Sequence, residues 1–362
     1  MDILEKAVSK IPRENSGSRS SNRSDYQKDW VLCLLLRLQR SSNDYLVVVE
    51  QHEDVLVFNS ENQPTRIALY QIKTKDDSSW SCRELISPDK DKSILAKLYE
   101  AYLLFKFDEV EGVFFVSNMP CNFTLKTKTP SRNFYEIKLD DLTDDEFAKI
   151  EIAIKKQLHL DNNAKIDKVI LFQRSELGHL GHSTNAKGFV SEFLDEQYPN
   201  RKQLIGAIYE SLYGFIKKQT NFELVCSNVD QLKNYKAIKK SDIDRLMIAI
   251  QESESYDEIW KQIESRLNEE RMPYFQVREL HLAWRKLELT HLDIATSPLT
   301  DVKLAVRKCI NLQGDPNNLT EYVDAAFRLA NEEIPKEFLS ILDEQTIKAL
   351  ILRELHGRFI NV

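Results

Sequence analysis

Three short apolar runs that follow one another closely limit most strongly what the first part of this chain can fold into. They are Tyr45–Glu50, Val55–Phe58 and Ile67–Ile72. The first run is continuous and the second nearly so, and both are rich in Val, which favours strands buried on both faces over amphipathic helix. The sequence therefore predicts a β-sheet that begins with three consecutive strands.

The ends of these strands carry the polar residues that point most clearly to chemistry. Asp54 stands at the entrance to the second strand, and Gln71 and Lys73 alternate in the third. Alternate residues of a strand share a face, so Gln71 and Lys73 should project together, beside Asp54 if the two strands pair. A carboxylate, an amide carbonyl and an ammonium at one sheet edge can hold a divalent cation and a phosphate. The alternative is a strand with exposed polar ends, since Gln-x-Lys is common by chance.

Helices are predicted on both sides of these strands. One helix should run over about 25–40 with Ser24 as its N-cap, and another over about 92–107. A fourth strand is predicted at Val113–Asn118. The resulting order is αβββαβ, and the helix between the third and fourth strands makes a parallel crossover.

Two more elements are predicted before the character of the sequence changes. Thr143 and Glu146 have the spacing of a capping box at the start of a helix. The apolar segment Lys168–Phe172 is predicted to add an edge strand. We therefore predict an α/β domain over residues 1–185.

Residues 186–362 are predicted to form an all-α domain that serves assembly or partner binding. Successive amphipathic segments are separated there by caps and breakers, without the fixed period of a repeat array. The predicted helices are Gly188–Gln197, Arg201–Lys218, Ser241–Ile250, Tyr256–Asn268, Arg278–Leu289, Val302–Asn311, Leu319–Asn331 and Glu344–Leu355.

The charge distribution leaves room for a local nucleic-acid site. The net charge of −7 does not suggest a protein that coats nucleic acid, but residues 1–40 carry more Lys and Arg than Asp and Glu. The segment 13–24 is polar, Gly/Ser-rich and basic, as expected of a loop ordered by a ligand. The side chains predicted to contact DNA phosphates are Arg19, Arg23, Lys75, Lys126 and Lys128.

The remaining features favour a cytoplasmic protein without a motor of its own. The five cysteines are far apart and fit reduced thiols, and no apolar run approaches the roughly 20 residues of a membrane span. The segment ELGHLGH, with Glu176, His179 and His182, invites a zinc interpretation, which its glycines and the lack of a further ligand disfavour. The segment 181–188 resembles a phosphate-binding loop only in part, because it lacks the Gly before the lysine of that motif and the Ser/Thr after it.

Several motifs, taken in order, resemble one known family. They are Gly17, the pair Tyr26-Gln27, the acids Glu50 and Asp54, and Gln71 with Lys73. This set resembles the PD-(D/E)xK superfamily and, more closely, the double-stranded-DNA endonuclease domain of bacterial antiphage effectors known as domain of unknown function 4297. The resemblance covers roughly residues 14–120.

The resemblance implies a metal-dependent endonuclease built on the residues already singled out. Asp54 would bind Mg²⁺ or Mn²⁺, Gln71 would add a neutral oxygen ligand, and Lys73 would be the catalytic cation. Glu50 is a further candidate ligand that could equally cap a strand end, and Glu53 and Gln27 are possible accessory residues. Gln71 replaces the acid of the usual pattern, as in other family members, and one charge less should weaken metal affinity.

The family also implies a regulated, multimeric nuclease. One architecture pairs a stand-alone nuclease with a HerA-type hexameric ATPase, which the helical half and the missing motor favour here. The alternatives are a cyclic-oligonucleotide-activated effector and, from another class, a non-catalytic scaffold that holds DNA or oligomerises. Lys73→Ala distinguishes the nuclease from the scaffold, because a scaffold would keep its function and a nuclease would lose cleavage. The cyclic-oligonucleotide-activated effector predicts instead that small oligonucleotides bind residues 188–362 tightly.

Overall fold

The chain divides into two compact units. A computed structural model describes residues 2–9, 21–89, 91–199, 205–252, 256–291, 299–311, 318–334, 336–339 and 342–360. The first unit comprises Met1–Phe193 and Ile216–Ile243, and the second comprises Leu194–Phe215 and Asp244–Val362. We call them the sheet unit and the helical unit.

Seven strands of the described chain form one mixed sheet. Its order is β7-β8-β5-β3-β2-β1-β9, and β4 and β6 pair separately. The strands are β1 (Leu46–Val49), β2 (Val55–Phe58), β3 (Ile67–Lys73), β4 (Trp80–Ser81), β5 (Val110–Ser117), β6 (Cys121–Asn122), β7 (Glu136–Lys138), β8 (Ile170–Arg174) and β9 (Ala237–Lys239).

The described helices fall on both sides of these strands and then fill the rest of the chain. They are α1 (Ile3–Ser9), α2 (Ser21–Ser41), α3 (Cys82–Ile86), α4 (Ile94–Tyr102), α5 (Asp144–Leu158), α6 (His182–Gln197), α7 (Ile205–Thr220), α8 (Val229–Tyr235), α9 (Lys240–Glu252), α10 (Tyr256–Glu269), α11 (Tyr274–His291), α12 (Leu299–Asn311), α13 (Leu319–Glu333), α14 (Lys336–Leu339) and α15 (Glu344–Ile360).

The three consecutive strands predicted from the apolar runs are present and pair with one another. β1 and β2 are antiparallel, as are β2 and β3, and β5 lies parallel to β3 after the crossover through α4. The residues of β1 are all buried, and those of β3 are buried except Tyr70 and Lys73, which are half-buried. Strands covered on both faces explain why the runs are apolar without alternation.

Helix boundaries near these strands differ from the prediction. α2 begins at Ser21, so Ser24 is not its N-cap but a helical residue whose Oγ accepts a hydrogen bond from Lys28 Nζ at 2.8 Å. α4 is shorter than predicted at both ends: Ser93 caps its N-terminus and accepts a hydrogen bond from Ala96 N, and Leu103 is its C-cap. A polar Ser-Asp pair marks helix starts only on average, and here the helix continues upstream of it.

Two predictions in the next part of the chain were wrong. β8 is not an edge strand, because it lies between β5 and β7, and β7 comes from a stretch without a strand-like pattern. Thr143 precedes α5 but makes no side-chain cap bond. The carboxylate of Glu146 instead accepts a hydrogen bond from Lys149 Nζ at 2.8 Å.

The predicted helical segments after residue 186 are all helical within the described residues, but the sheet reaches further along the chain than predicted. The three residues of β9 pair antiparallel with β1, with Ile238 opposite Val47, and α8 precedes them. Beyond β9 the elements of the described residues are all helices. The functional division at residue 185 remains a prediction, while the sheet itself takes its last strand from residues 237–239.

Each unit has its own apolar core. In the sheet unit β1, β2, β3 and β5 pack with α4 and α5, and in the helical unit α10, α11, α12, α13 and α15 pack together. The five cysteines are buried and not joined in disulfides. No helix in the described ranges combines the length and apolarity that crossing a membrane requires.

Candidate active site

The turn between β1 and β2, residues Glu50–Asp54, is the structural centre of the candidate site. Glu50 N donates a hydrogen bond to Asp54 O at 3.0 Å, which closes the turn. Glu50 has φ +50°, in the left-handed region that side chains other than glycine rarely adopt. This conformation costs about 1 kcal/mol, so contacts around the turn must hold it.

Asp54 and Gln71 are brought together, as the sequence predicts. Val55 lies opposite Tyr70 in the β2–β3 ladder, which places Asp54 opposite Gln71. Asp54 Oδ2 accepts hydrogen bonds from Gln71 Nε2 and from Ile72 N, the latter at 2.6 Å. Gln71 is buried, so this pair lies at a protected edge of the sheet.

The second carboxylate of the turn, Glu50, is in an unfavourable place for a negative charge. Burial raises the pKa of Glu50 to about 7, and the neighbouring charge of Asp54 adds to this rise. The ammonium groups of Lys236, Lys73 and Lys28 act in the opposite direction. Two acids that repel each other at a protected edge make a place where a cation is favoured.

Lys73 and Gln27 lie on either side of this edge. Lys73 ends β3 two residues beyond Gln71, is half-buried, and is close enough to Glu50 for its charge to lower that pKa. Gln27 Nε2, from α2, donates a hydrogen bond to Ile72 O at 3.2 Å. The backbone of Ile72 is thus held at its carbonyl by Gln27 and at its N–H by Asp54. Gln27 therefore orients β3 where the candidate residues lie.

Four of the five predicted DNA-contacting residues are described, and they lie on three separate parts of the chain. Lys75 is engaged within the fold: its ammonium donates to Glu84 Oε1 at 2.6 Å and lies over the Trp80 ring. Lys126 is exposed and donates to Asp140 O at 2.8 Å, and Lys128 is exposed in the same loop. Arg23 is exposed on α2, and Arg19 is the residue outside the described ranges.

The donor atoms at the turn fit a hard divalent cation. Within the described residues, no three His, Cys, Asp or Glu side chains form a metal-binding group. The candidate set is instead two carboxylates, Glu50 and Asp54, and the amide oxygen of Gln71, while the accessory candidate Glu53 is buried in the same turn. Mg²⁺ binds through one or two carboxylates and keeps several waters, so this oxygen-only set suits it.

The histidines of the ELGHLGH segment lie in a polar network with α2. His182 Nδ1 is 2.5 Å from Asp29 Oδ2, and its Nε2 faces Asn22 Oδ1 at 3.1 Å. His179 Nε2 is 2.8 Å from Asp76 Oδ1. Glu176 of the same segment pairs instead with Arg37 at 2.8 Å. The polar residues of this segment are thus engaged by Asn22, Asp29, Asp76 and Arg37.

The sequence analysis missed one residue that touches the turn. Lys236, the residue before β9, is 2% exposed and donates from Nζ to Glu50 O at 2.5 Å. The two residues are 186 positions apart, and no local pattern around Lys236 points to the contact.

A comparison with known families decides which one the chain belongs to. The family described as Cap4, dsDNA endonuclease domain, matches residues 15–220, which is more than half of the chain. The chain belongs to the Cap4 dsDNA endonuclease family. The match includes Gln27, Glu50, Asp54, Gln71 and Lys73, and so contains all the predicted metal-binding and catalytic residues.

A curated relative is similar to part of the chain. Lamassu protein LmuA of Bacillus cereus (strain VD014) is 33% identical to the Cap4-family chain over 132 residues. The aligned part covers 36% of this chain and 35% of LmuA, so the comparison spans about a third of that relative. No solved structure gives a significant match to this chain.

Proposed function

We propose that this protein is a metal-dependent endonuclease that hydrolyses phosphodiester bonds of double-stranded DNA. The observation that carries the proposal is the contact of Asp54 with Gln71 and the Ile72 amide, with Lys73 next along the strand, in a member of the Cap4 dsDNA endonuclease family. Within the PD-(D/E)xK superfamily that the motifs resemble, these positions correspond to the acid, the acid-or-substitute and the lysine of the signature.

The chemistry of the proposed site follows from its charges. Asp54, Glu50 and Gln71 would hold Mg²⁺ or Mn²⁺ through oxygen atoms, and the bound cation would activate a water and neutralise the scissile phosphate. Lys73 orients the attacking water and stabilises the negative charge that develops on the phosphate. Gln27 keeps the end of β3 in place through the Ile72 carbonyl.

DNA would reach this edge along surfaces that carry positive charge. Arg23 and Lys128 are exposed, whereas Lys126 would first have to leave Asp140 O and Lys75 would first have to leave Glu84. We assign these residues, with Arg19, to backbone contacts that position the duplex. The net charge of −7 makes such local contacts necessary for binding.

We further propose that the nuclease acts in antiphage defence in the cytoplasm as part of a homo-oligomer. The resemblance to bacterial antiphage effectors and the similarity to a Lamassu protein support this role. The helical unit has a substantial apolar core of its own, as a domain for assembly would need. A HerA-like hexameric ATPase is the partner that we propose, since the motor motifs sought in the sequence are missing.

The test is cleavage of supercoiled plasmid in Mg²⁺ or Mn²⁺, with and without the ATPase. We expect wild-type protein to nick and linearise the plasmid, and Asp54→Asn and Lys73→Met to lose roughly 10³-fold in rate. The matched controls are Asp77→Asn and Lys156→Met, both at exposed positions, which should cleave like wild type.

The pattern of results separates the proposals. Cleavage that needs Asp54 and Lys73 supports the nuclease site, and stimulation by the ATPase supports the proposed assembly. Equal inertness of all variants in every mixture, with DNA still bound, would favour the non-catalytic scaffold instead.

A further inference from the structure

We propose that Lys236 is a positioning residue that fixes the Glu50–Asp54 turn in the shape needed to bind a cation. The inference rests on the proposed function, because it assigns the support of that same site. It goes beyond the family assignment, since Lys236 lies outside the matched residues 15–220.

Two hydrogen bonds join Lys236 to the start of the turn. Its Nζ donates to Glu50 O at 2.5 Å, and its own backbone carbonyl accepts from Val49 N at 3.0 Å. Immediately beyond it, Ala237 pairs with Val48 as β9 joins the sheet. The side chain therefore extends the β1–β9 contact by one residue, at the point where the chain leaves β1 and turns.

The left-handed conformation of Glu50 makes this contact consequential. With φ +50°, the Glu50 carbonyl points in a direction that an ordinary extended residue would not give it. An ammonium donor bound to that oxygen stabilises the unusual conformation. Without the donor, Glu50 can relax towards an extended backbone, which would move its carboxylate relative to Asp54.

The burial of Lys236 argues against a role in stability alone. The side chain is 2% exposed, and an ammonium at such a position costs free energy that an apolar side chain of similar length would not. Burial lowers the pKa of Lys236, while the charge of Glu50 acts in the opposite direction. A residue that is costly to bury is therefore aimed at one carbonyl of the candidate site.

The middle of the turn is held by a second segment outside the family match. Gln51 Nε2 donates to Ala7 O at 2.9 Å, and His52 Nε2 lies 2.8 Å from the same oxygen. Ala7 belongs to α1, which packs against α8 just before Lys236. The turn that carries both candidate carboxylates is thus clamped by residues from before and after the matched part of the chain.

The test is direct titration of the full-length protein with Mn²⁺ by calorimetry, without DNA. We expect Lys236→Met to weaken Mn²⁺ binding by about tenfold or more, as loss of a group that orients a metal ligand typically does. Lys233→Met, on α8 at a half-buried position, is the matched control and should bind like wild type. Asp54→Asn should abolish binding.

A structural role alone predicts a different result. The β1–β9 ladder pairs backbone atoms, so a folded Lys236→Met variant would then melt at a lower temperature and bind Mn²⁺ with unchanged affinity. Unchanged affinity in that folded variant overturns the inference and leaves the proposed nuclease site intact.

Two further outcomes are also decisive. If Lys236→Met does not fold, His52→Phe tests the same clamp from the α1 side, and wild-type affinity in that variant overturns the inference. If the wild-type protein binds no Mn²⁺, or if Asp54→Asn binds it equally well, the proposed site itself is wrong and the inference fails with it.

Discussion

The two units of the molecule differ sharply in what they bury. In the sheet unit, the buried charged residues of the described chain are Lys28, Asp29, Glu53, Glu146, Lys236 and Asp242. Among the described residues of the helical unit, the buried polar side chains are two hydroxyls, Ser211 and Thr346. The difference thus lies in the interior of the two units.

The buried charges of the sheet unit point to chemistry, and the apolar interior of the helical unit points to stability. Buried charges are weak contributors to stability, and an apolar replacement of the same volume is often neutral or better. A unit that keeps several of them close to one sheet edge is built for something other than a stable core. The helical unit, with apolar packing and charges paired at its surface, has the interior of a structural module.

Truncation of the helical core should produce the largest change in stability. Trp284 is fully buried, packs against Tyr256 and Trp260, and donates from Nε1 to Tyr256 O at 3.2 Å. We expect Trp284→Ala to destabilise the helical unit by about 4 kcal/mol. Hydrogen exchange should show lost protection in α10–α15, with β1–β3 unchanged. The control Phe275→Ala, 73% exposed, should change little.

Addition of a third acid to the sheet edge should lower the stability of the sheet unit in the absence of metal. Gln71→Glu removes the N–H that donates a hydrogen bond to Asp54 and places a like charge beside that carboxylate. We therefore expect the free energy of unfolding to fall by about 3 kcal/mol in metal-free buffer. Urea unfolding with Mn²⁺ should recover most of this loss, because the new carboxylate binds the cation. Gln63→Glu, at an exposed turn position, should show neither effect.

Removal of the partner of a buried acid should lower the free energy of unfolding by less than the two changes above. Asp29 is fully buried and pairs with His182 Nδ1. We expect His182→Ala to lower the free energy of unfolding by about 2 kcal/mol. The double variant with Asp29→Asn should lose less than the sum of the two single variants, and strict additivity would show that the pair is not coupled.

A helix cap in the helical unit gives the smallest expected effect and one that depends on pH. Burial acts to raise the pKa of Glu270, but hydrogen bonds from Leu319 N and from Thr320 N and Oγ1, with the charge of Arg266, outweigh it, so the pKa lies below 4.5. An acid with a depressed pKa stabilises the fold above its ordinary pKa and loses this effect as the pH falls.

Glu270→Gln should therefore lower stability by about 1 kcal/mol at pH 7, and the difference should vanish at low pH. Thermal unfolding of both proteins at pH 7 and pH 3 measures this. A difference that persists at pH 3 would mean that packing, rather than the charge at the α13 N-terminus, accounts for the effect.

The sequence predicts those features that depend on neighbours along the chain. The apolar runs predict β1, β2 and β3, and consecutive strands pair so commonly that Asp54 beside Gln71 follows from position alone. The helical segments after residue 186 follow from apolar periodicity in the same way. Their boundaries shift by a few residues because helix ends depend on local caps.

The features that the sequence does not predict join distant residues. β9 is three residues long, too short for a pattern, and its partner β1 precedes it by most of the sheet unit. The contact of Lys236 with Glu50 cannot be anticipated for the same reason. Lys75 looked available to DNA because its two partners in the fold, Glu84 and Trp80, could not be assigned from spacing.

The late position of β9 has a consequence for the order in which the protein is made. A ribosome that has just added Lys73 must translate about 160 residues more before it reaches Ala237, which takes roughly 10 to 30 s at bacterial elongation rates. During that interval a nascent chain has its acids but not the strand and lysine that clamp their turn. The sheet edge that carries Asp54 and Gln71 is therefore complete only after β9 has been translated.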